Sequence, residues 1–323
     1  MSISEFAQTL NAWSACSTPF LFIVDFELRK PLVFRLSELD PSVIRYSVNG
    51  FSNFAAKRNG SATVNLQKSP ESFDTYLNRF EKVIRHLEYG DTFLTNLTIC
   101  TPVSLDCTLD KVYEASQAKY KVWVRDQFLV FSPETFVKIM DRKVFSYPMK
   151  GTIDAGIPDA EQIILKDKKE EAEHVTIVDL IRNDLSQVAT NVRVNRFRYI
   201  DTIHTNTKQL LQVSSEVVGD LAPDYKSRLG DIIVNLLPAG SVSGAPKQKT
   251  LEVIREAEEE ERGYFTGVFG CFDGEKLDSG VMIRYIGQSG EQYHYRSGGG
   301  ITTQSNAAQE YQEAIDKIYV PLD

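Results

Sequence analysis

The sequence predicts a globular protein that mixes α-helices with β-strands. Its 323 residues are 42% hydrophobic and 25% charged, which is ordinary for a protein that buries a sizeable core. Residues 73–87 repeat their apolar side chains at the spacing of one helix face. Other segments carry β-branched and aromatic runs that are typical of strands. A chain of this length forms one large or two medium domains.

The net charge and the cysteines of the chain exclude some classes of partner and suggest a cellular compartment. The net charge is −8 and no basic block stands out, which argues against nucleic acid or an anionic membrane as a partner. The four cysteines form no CxxC pair, so we expect free thiols in a reducing compartment. No basic leader with an apolar run opens the chain, and no apolar stretch reaches membrane-spanning length. We therefore predict a cytoplasmic protein.

The first 69 residues are predicted to hold a short helix and strands at 19–24 and 32–34, followed by a polar loop containing Asn59 and Gly60. Ser69 is the predicted cap of the helix that follows, and Gly90 its end. We divide the chain here, into an N-terminal strand region, 1–69, that packs on a catalytic domain, 70–323.

A lysine follows a predicted hairpin in the middle of the chain. The hairpin strands are 136–140 and 143–146, and the segment Pro148-Met149-Lys150-Gly151-Thr152 comes next. A lysine at a strand end, between a rigid proline and a glycine, is well placed to point into a cleft. An ordinary surface lysine in a turn is the alternative.

Residues 160–188 are predicted to form the longest helix. Glu173 lies where this helix becomes apolar, and a carboxylate at the edge of a buried face needs a partner, most simply a cation. We assign Glu170 and Glu171 to a solvated face among lysines. Residues 192–200 and 209–218 are then two strands, or a strand and a helix.

Two further segments favour the binding of an anion. Small residues at 238–247 let backbone amides approach a ligand, and the helix predicted from Pro246 to about residue 262 favours negative charge at its start. A plain loop is the alternative. Arg284 ends a predicted strand at 280–285, where binding a carboxylate as a planar fork would satisfy the guanidinium.

The C-terminal segment combines glycines with carboxylates. Gly298–Gly300 follow a predicted strand at 292–297 and could form an anion-binding nest. Asn306 is the predicted cap of the last helix, on which Glu310 and Glu313 lie one turn apart. Glu313 either pairs with Lys317 at the surface or binds a metal.

Taken in order, seven short segments resemble the chorismate-utilising enzymes, a family that includes anthranilate synthase component I, aminodeoxychorismate synthase component I and isochorismate synthase. The segments, which cover roughly residues 70–320, are 132–134, 148–152, 172–184, 240–247, 283–284, 298–301 and 310–313. The resemblance implies an α+β fold of two packed subdomains of mainly antiparallel sheet flanked by helices. It places a chorismate site in the cleft between them.

The resemblance also implies roles for single residues. Glu173 and Glu313, with Glu310 nearby, would hold Mg²⁺, an ion that prefers oxygen ligands. Glu134 matches the general acid that protonates the leaving C4 hydroxyl, and Lys150 is the second catalytic candidate. The residues implied to bind the substrate are Thr152, Ser243, Gly244, Arg284, Gly298, Gly299 and Gly300.

The residues at two positions distinguish between the branches of the family. Leu94 stands where the water-adding members carry a lysine base, and Lys150 stands where anthranilate synthases carry alanine. This is the pattern of aminodeoxychorismate synthases, in which the lysine amine is thought to attack C2 before ammonia enters at C4. A neutral amine is required, and burial would favour it. Leu211, where a histidine is frequent in the family, mildly supports the same branch.

The implied product is 4-amino-4-deoxychorismate, made for folate (4-aminobenzoate) biosynthesis. The ammonia would come from a separate glutamine amidotransferase subunit, component II, because this chain shows no glutaminase motif. Anthranilate synthase component I is the first alternative. A non-catalytic regulator with the same fold is the second, and the presence of Glu134, Lys150, Glu173 and Arg284 argues against it.

Overall fold

The computed structural model describes residues 1–55, 64–204 and 209–322. It shows two large antiparallel sheets packed face to face, with helices on the outer faces. The predicted α+β class, with two packed subdomains flanked by helices, is confirmed. The predicted loop at Asn59 and Gly60 lies outside the described residues. In the described part of the chain, we find no helix that is both long enough and apolar enough to cross a membrane.

The α-helices of the described residues are α1 Ile3–Ala15, α2 Phe73–Tyr89, α3 Leu109–Ala115, α4 Ala160–Lys166, α5 Lys168–Ser186, α6 Leu229–Leu236, α7 Gly240–Ser243, α8 Lys247–Glu258 and α9 Ala307–Asp316. Short 3₁₀ turns cover Leu36–Glu38 and Tyr225–Arg228.

The strands of the N-terminal half are β1 Phe20–Val24, β2 Leu32–Arg35, β3 Ile44–Val48, β4 Phe51–Ser52, β5 Leu66–Lys68, β6 Leu94–Leu105, β7 Tyr120–Val124, β8 Phe128–Ser132, β9 Thr135–Met140, β10 Lys143–Ser146 and β11 Met149–Asp154. Those of the C-terminal half are β12 Thr190–His204, β13 Gln209–Asp220, β14 Gly244–Ala245, β15 Val268–Phe272, β16 Leu277–Val281, β17 Tyr285–Ser289 and β18 Gln292–Ile301.

The first sheet runs in the order β11-β13-β10-β9-β16-β15-β1-β2, with β12 paired to β13. Strand β1 is a continuous apolar run, and all five of its residues are buried because helices cover one face of the sheet and the second sheet covers the other. The N-terminal region therefore contributes an interior strand. The boundary at residue 69 stays a prediction.

The second sheet runs in the order β14-β6-β18-β17-β8-β7-β3-β4, with β5 paired to β6. Its inner face meets the first sheet in an apolar layer, where Leu21 and Ile23 of β1 share a cluster with Val122 and Val130. Its outer face is covered by α2, α8 and α9, which pack on β6 and β18. The two sheets thus share one interior and open toward a common cleft.

Three helix boundaries differ from the predicted ones, and one of them is the end of α8, which lies at Glu258 and not near residue 262. Helix α2 is capped by Ser72, whose side chain accepts the Thr75 amide, and not by Ser69. Its predicted end at Gly90 is confirmed, in the left-handed conformation with φ +88°. The single helix predicted for 160–188 is two helices, because Asp167 adopts an extended conformation between α4 and α5.

The strands predicted near the C-terminus also differ. Strand β16 ends at Val281 and β17 begins at Tyr285, so Arg284 lies in the link between two strands and not at the end of one. Its backbone is left-handed, with φ +55°. Residues 192–200 and 209–218, which the sequence left as strands or a strand and a helix, both belong to strands.

Helices α1 and α6 cross so closely that only glycine fits at position 230. A Cβ atom on Gly230 would lie 2.1 Å from the carbonyl oxygen of Ala7. The Gly230 amide donates to Asn11 Oδ1 at 2.7 Å, and Asn11 Nδ2 donates to Asp231 at 2.9 Å. The contact therefore fixes the helix layer on the first sheet.

We predict that Gly230→Ala destabilises the fold by about 3 kcal/mol or more, since the two helix backbones must separate. Gly156→Ala is the control, because its site is exposed and not left-handed; it should change stability by less than about 0.5 kcal/mol. Urea denaturation measures both. Equal losses in the two variants would contradict the close crossing.

Candidate active site

The two sheets and helices α5, α7 and α9 surround a cavity of about 690 Å³. The cavity brings together residues that are far apart in the sequence. Most of the predicted site residues line it: Glu134, Lys150, Thr152, Glu173, Ser243, Gly244, Arg284, Gly298, Gly299, Gly300 and Glu313. Glu310 is not among the lining residues, although its carboxylate lies nearby.

Lys150 reaches the cavity because its strand bulges. Met149 pairs with Ser214 and Thr152 pairs with Gln212, and the register shifts between these two pairs. Gly151 takes φ +84°, a conformation that glycine adopts at little cost. Lys150 therefore lies outside the regular ladder, and its Nζ forms an ion pair with Glu173 Oε2 at 2.7 Å.

Two opposing effects act on the pKa of Lys150. Burial lowers the pKa of Lys150, as expected, but the ion pair with Glu173 and the charges of Glu170 and Glu313 outweigh burial and raise the pKa overall. In this arrangement the carboxylates therefore favour the ammonium form of Lys150, and the neutral amine that the resemblance requires stays a prediction.

Glu170 belongs to the cavity, and its assignment to a solvated face is wrong. It lines the cavity, and a Cβ on Gly151 would lie 3.2 Å from Glu170 Oε2. Glu171, one position further, does point outward, where it pairs with Lys168 at 2.9 Å and with Arg198 at 3.1 Å. Helix α5 thus presents Glu170 and Glu173, one turn apart, to the same space.

A second group of charges faces the first from α9. Lys317 Nζ lies 2.6 Å from Glu313 Oε1 and donates to the carbonyl of Gly298 at 2.9 Å. A Cβ on Gly299 would lie 3.4 Å from Glu310 Oε2 and 3.9 Å from Glu313 Oε1, so both carboxylates face one point on β18. The Glu313–Lys317 pair is therefore part of the cavity wall, and the sequence analysis missed Lys317 as a site residue.

Glu134 is held by Ser241, a residue that was not among the predicted site residues. The hydroxyl group of Ser241 donates to Glu134 Oε1. The Ser243 hydroxyl instead donates to the carbonyl of Ala239 at 2.9 Å, inside α7. Burial raises the pKa of Glu134, while Ser241, Arg284 and Lys317 act in the opposite direction without cancelling it. A raised pKa suits a carboxyl group that donates a proton.

Three buried polar atoms of cavity residues have no hydrogen-bond partner among the described residues. They are Arg284 Nε, Asn96 Oδ1 and Ser297 Oγ. Unsatisfied buried donors and acceptors are costly, at about 1–3 kcal/mol each. All three belong to residues of the second sheet or of the link that leads into it, so this wall of the cavity contains buried polar atoms that the described residues leave unsatisfied.

The glycine nest predicted at Gly298–Gly300 is wrong. These residues continue strand β18, and each pairs with a residue of β6, from Thr98 to Asn96. A Cβ on Gly298 would lie 2.2 Å from the carbonyl oxygen of Leu97, so glycine is required by the close approach of β6. The segment lines the cavity as flat backbone.

The carboxylates suit a hard divalent cation by their chemistry. Glu170, Glu173 and Glu313 line one cavity and offer only oxygen atoms, which Mg²⁺ prefers. Glu173 and Glu313 each already bind a cation, in the form of a lysine ammonium group. Within the described ranges, no three acidic, histidine or cysteine side chains are gathered tightly enough to hold a metal.

His174, next to Glu173, turns away from the cavity into the first sheet. Only 1% of its surface is exposed, and its Nε2 lies 2.7 Å from Ser215 Oγ. Burial, with a smaller contribution from Arg198, lowers the pKa of His174 to about 4, so the ring is neutral near pH 7.

Two bacterial proteins are similar to this chain in sequence. A Haemophilus influenzae protein described as an uncharacterized PabA-like protein is 45% identical over 322 residues, covering 100% of this chain and 98% of that protein. Aminodeoxychorismate synthase component 1 of Bacillus subtilis is 32% identical over 266 residues, covering 78% of this chain and 55% of that enzyme.

Solved structures share the fold. A putative 2,3-dihydroxybenzoate-specific isochorismate synthase of Bacillus anthracis superimposes with a TM-score of 0.75 at 20% identity, covering 98% of this chain and 88% of that one. Anthranilate synthase component I of Streptococcus pneumoniae gives 0.67 at 25% identity, covering 81% and 60%. The model of the chorismate binding enzyme family matches residues 35–323. The chain belongs to the chorismate binding enzyme family.

Proposed function

We propose that this chain aminates chorismate at C4, as component I of an aminodeoxychorismate synthase. The observation that carries the proposal is the position of Lys150, which leaves the strand ladder at a bulge and enters the cavity beside Glu173. The name of the Bacillus subtilis relative supports this branch of the family. The chain spans about half the length of that relative.

The cavity suits a substrate with two carboxylate groups. Arg284 lines it, and guanidinium groups bind carboxylates strongly. Lys317 supplies a second cation beside Gly298. Leu94 lines the same cavity and offers no base to activate water.

The proposed reaction uses two side chains of this protein in turn. The neutral amine of Lys150 attacks C2 of chorismate, the ring double bond shifts, and the C4 hydroxyl leaves as water with the proton of Glu134. Ammonia then attacks C4, the double bond shifts back, and the Lys150 amine is released from C2. The surplus proton of the incoming nitrogen returns to the Glu134 carboxylate, so the cycle closes.

Glu173 and Glu313 would hold Mg²⁺, with Glu170 and Glu310 close by. Mg²⁺ bound there would draw negative charge from these carboxylates and from a substrate carboxylate, which favours departure of the hydroxyl and loss of a proton from Lys150. Lys150 and Lys317 would then release the carboxylates they bind in this structure.

We further propose that a glutamine amidotransferase subunit supplies the ammonia and that the product serves folate (4-aminobenzoate) biosynthesis. The four cysteines are all free thiols, which suits the cytoplasm as the place of the reaction.

Incubation with chorismate, Mg²⁺ and ammonium, followed by product identification, tests the proposal. We expect 4-amino-4-deoxychorismate, which an added lyase converts to 4-aminobenzoate. Formation of fluorescent anthranilate would assign the chain to the alternative, anthranilate synthase component I. Release of no product would favour a non-catalytic role.

We predict that Lys150→Ala lowers the rate of C4 amination by at least about 100-fold, because the nucleophile is lost. Lys249→Ala is the matched control, since 44% of that side chain is accessible and it pairs with Glu252 outside the cavity. Mass spectrometry of the wild type during turnover should detect a substrate adduct on Lys150. An unchanged rate in Lys150→Ala would overturn the mechanism.

Glu173→Gln and Glu313→Gln should each raise the Mg²⁺ concentration needed for half-maximal activity by about 10-fold or more, because each removes a charged ligand. Glu171→Gln, on the same helix but directed outward, should leave the titration unchanged. Titrations of the two site variants that match the wild type would remove both carboxylates as ligands.

A further inference from the structure

A chain of hydrogen bonds connects the helix that carries Glu173 with the strand that carries Lys150. His174 Nε2 lies 2.7 Å from Ser215 Oγ on β13. The Ser215 backbone amide donates to the carbonyl of Pro148 at 2.9 Å. Pro148 precedes Lys150 by two residues, and His174 follows Glu173 directly. Ser215 therefore links the segment that carries Lys150 to the helix that carries Glu173.

Lys150 needs such a connection because the pairing of its own strand is interrupted at this position. It lies in the bulge between the Met149–Ser214 and Thr152–Gln212 pairs. The Ser215–Pro148 bond is the tie on the N-terminal side of that bulge. The position of Lys150 is therefore set by what anchors Ser215.

Ser215 is anchored from both sides. Its hydroxyl oxygen accepts the backbone amide of Arg198 at 3.0 Å on one side and meets His174 on the other. The ring of His174 is kept in place by the edge of Phe197, with ring centroids 5.9 Å apart. Helix α5 is thus fastened to β13 directly beneath Glu173.

Burying His174 has an energetic cost that an apolar residue at the same position would avoid. His174 is 1% exposed, and its Nδ1 is buried with no hydrogen-bond partner in the described part of the chain. A buried polar atom of this kind costs about 1–3 kcal/mol. A phenylalanine would fill a similar volume without that cost, so the contact made by Nε2 must matter.

We propose that His174 and Ser215 are positioning residues that set the spacing between Lys150 and Glu173. Neither residue lines the cavity, and both act through the residues they hold. The catalytic consequence rests on the proposed function, in which Lys150 attacks the substrate, but the spacing itself is a property of the fold.

Five variants test this role. Ser215→Ala removes the hydroxyl, His174→Phe removes the ring nitrogens, and His174→Gln keeps a side-chain amide near the Nε2 position. Ser214→Ala is the matched control, because Ser214 is the neighbouring buried serine and its hydroxyl has no partner among the described residues. The fifth variant combines Ser215→Ala with His174→Phe.

Steady-state consumption of chorismate is the first measurement, since it registers turnover whichever product forms. We expect Ser215→Ala and His174→Phe each to lower kcat about 10-fold with KM changed less than about twofold, and the double variant to be no slower than either. His174→Gln should recover part of the rate, and Ser214→Ala should match the wild type. Additive losses, or equal losses in Ser214→Ala, would overturn the proposal.

The reactivity of Lys150 is the second measurement and needs no turnover. Trace labelling with acetic anhydride, read by peptide mass spectrometry against exposed Lys249, reports how firmly Glu173 holds the lysine. We expect labelling of Lys150 to rise about threefold or more in Ser215→Ala and to stay unchanged in Ser214→Ala. Unchanged labelling in Ser215→Ala would overturn the positioning role even if the product assigned another reaction to the enzyme. If His174→Phe fails to fold, the same two measurements on Ser215→Ala and His174→Gln test the positioning role.

Discussion

The buried ion pair between Arg262 and Glu258 is the contact on which the cavity depends. Both side chains are only 1% exposed, and they meet at 2.6 Å. Arg262 also donates to the carbonyl oxygens of Asn96 at 2.7 Å and Val242 at 2.9 Å. One guanidinium group therefore joins β6 of the second sheet to α7, the short helix that lies against Glu134.

Burying two charges costs several kcal/mol per ion unless their hydrogen bonds are satisfied. Glu258 meets this requirement by accepting the backbone amide and the hydroxyl of Thr98, both at 2.9 Å. The pair thus stabilises the observed arrangement of α8, β6 and α7. Separating these elements would remove hydrogen-bond partners from the buried charges of Arg262 and Glu258. The position of Ser241, and through it the orientation of Glu134, follows from this constraint.

The sequence predicts the elements of this protein better than the contacts between them. Periodicity predicted α2, and the order of short segments predicted the family and most of the cavity residues. The apolar runs on either side of residues 141 and 142 also predicted the hairpin before Lys150. These features are local, so neighbouring residues are sufficient to indicate them. Pairing between strands that are distant in the sequence could not be predicted in this way. Gly298–Gly300, for example, are part of a strand because β6 lies beside them.

The errors at single residues have the same origin. Ser241 and Ser243 are two residues apart, so they point about 200° apart in a helix but to the same side of an extended chain. The four-residue helix α7 therefore decides which serine meets Glu134. Lys317 was treated as a surface partner of Glu313 because an i, i+4 pair is common on exposed helices. Only the approach of β18 shows that this face of α9 borders the cavity.

The bulge at Lys150 has a consequence for how readily the cavity of this protein tolerates substitution. A residue within a regular ladder is constrained by its partner across the sheet, so replacing it alters both packing and function. Position 150 lies between two registers and has no residue paired with it on β13. Its side chain can be exchanged for another without loss of a ladder bond, so the wall of the cavity can change at this point while the sheet that supports it stays the same.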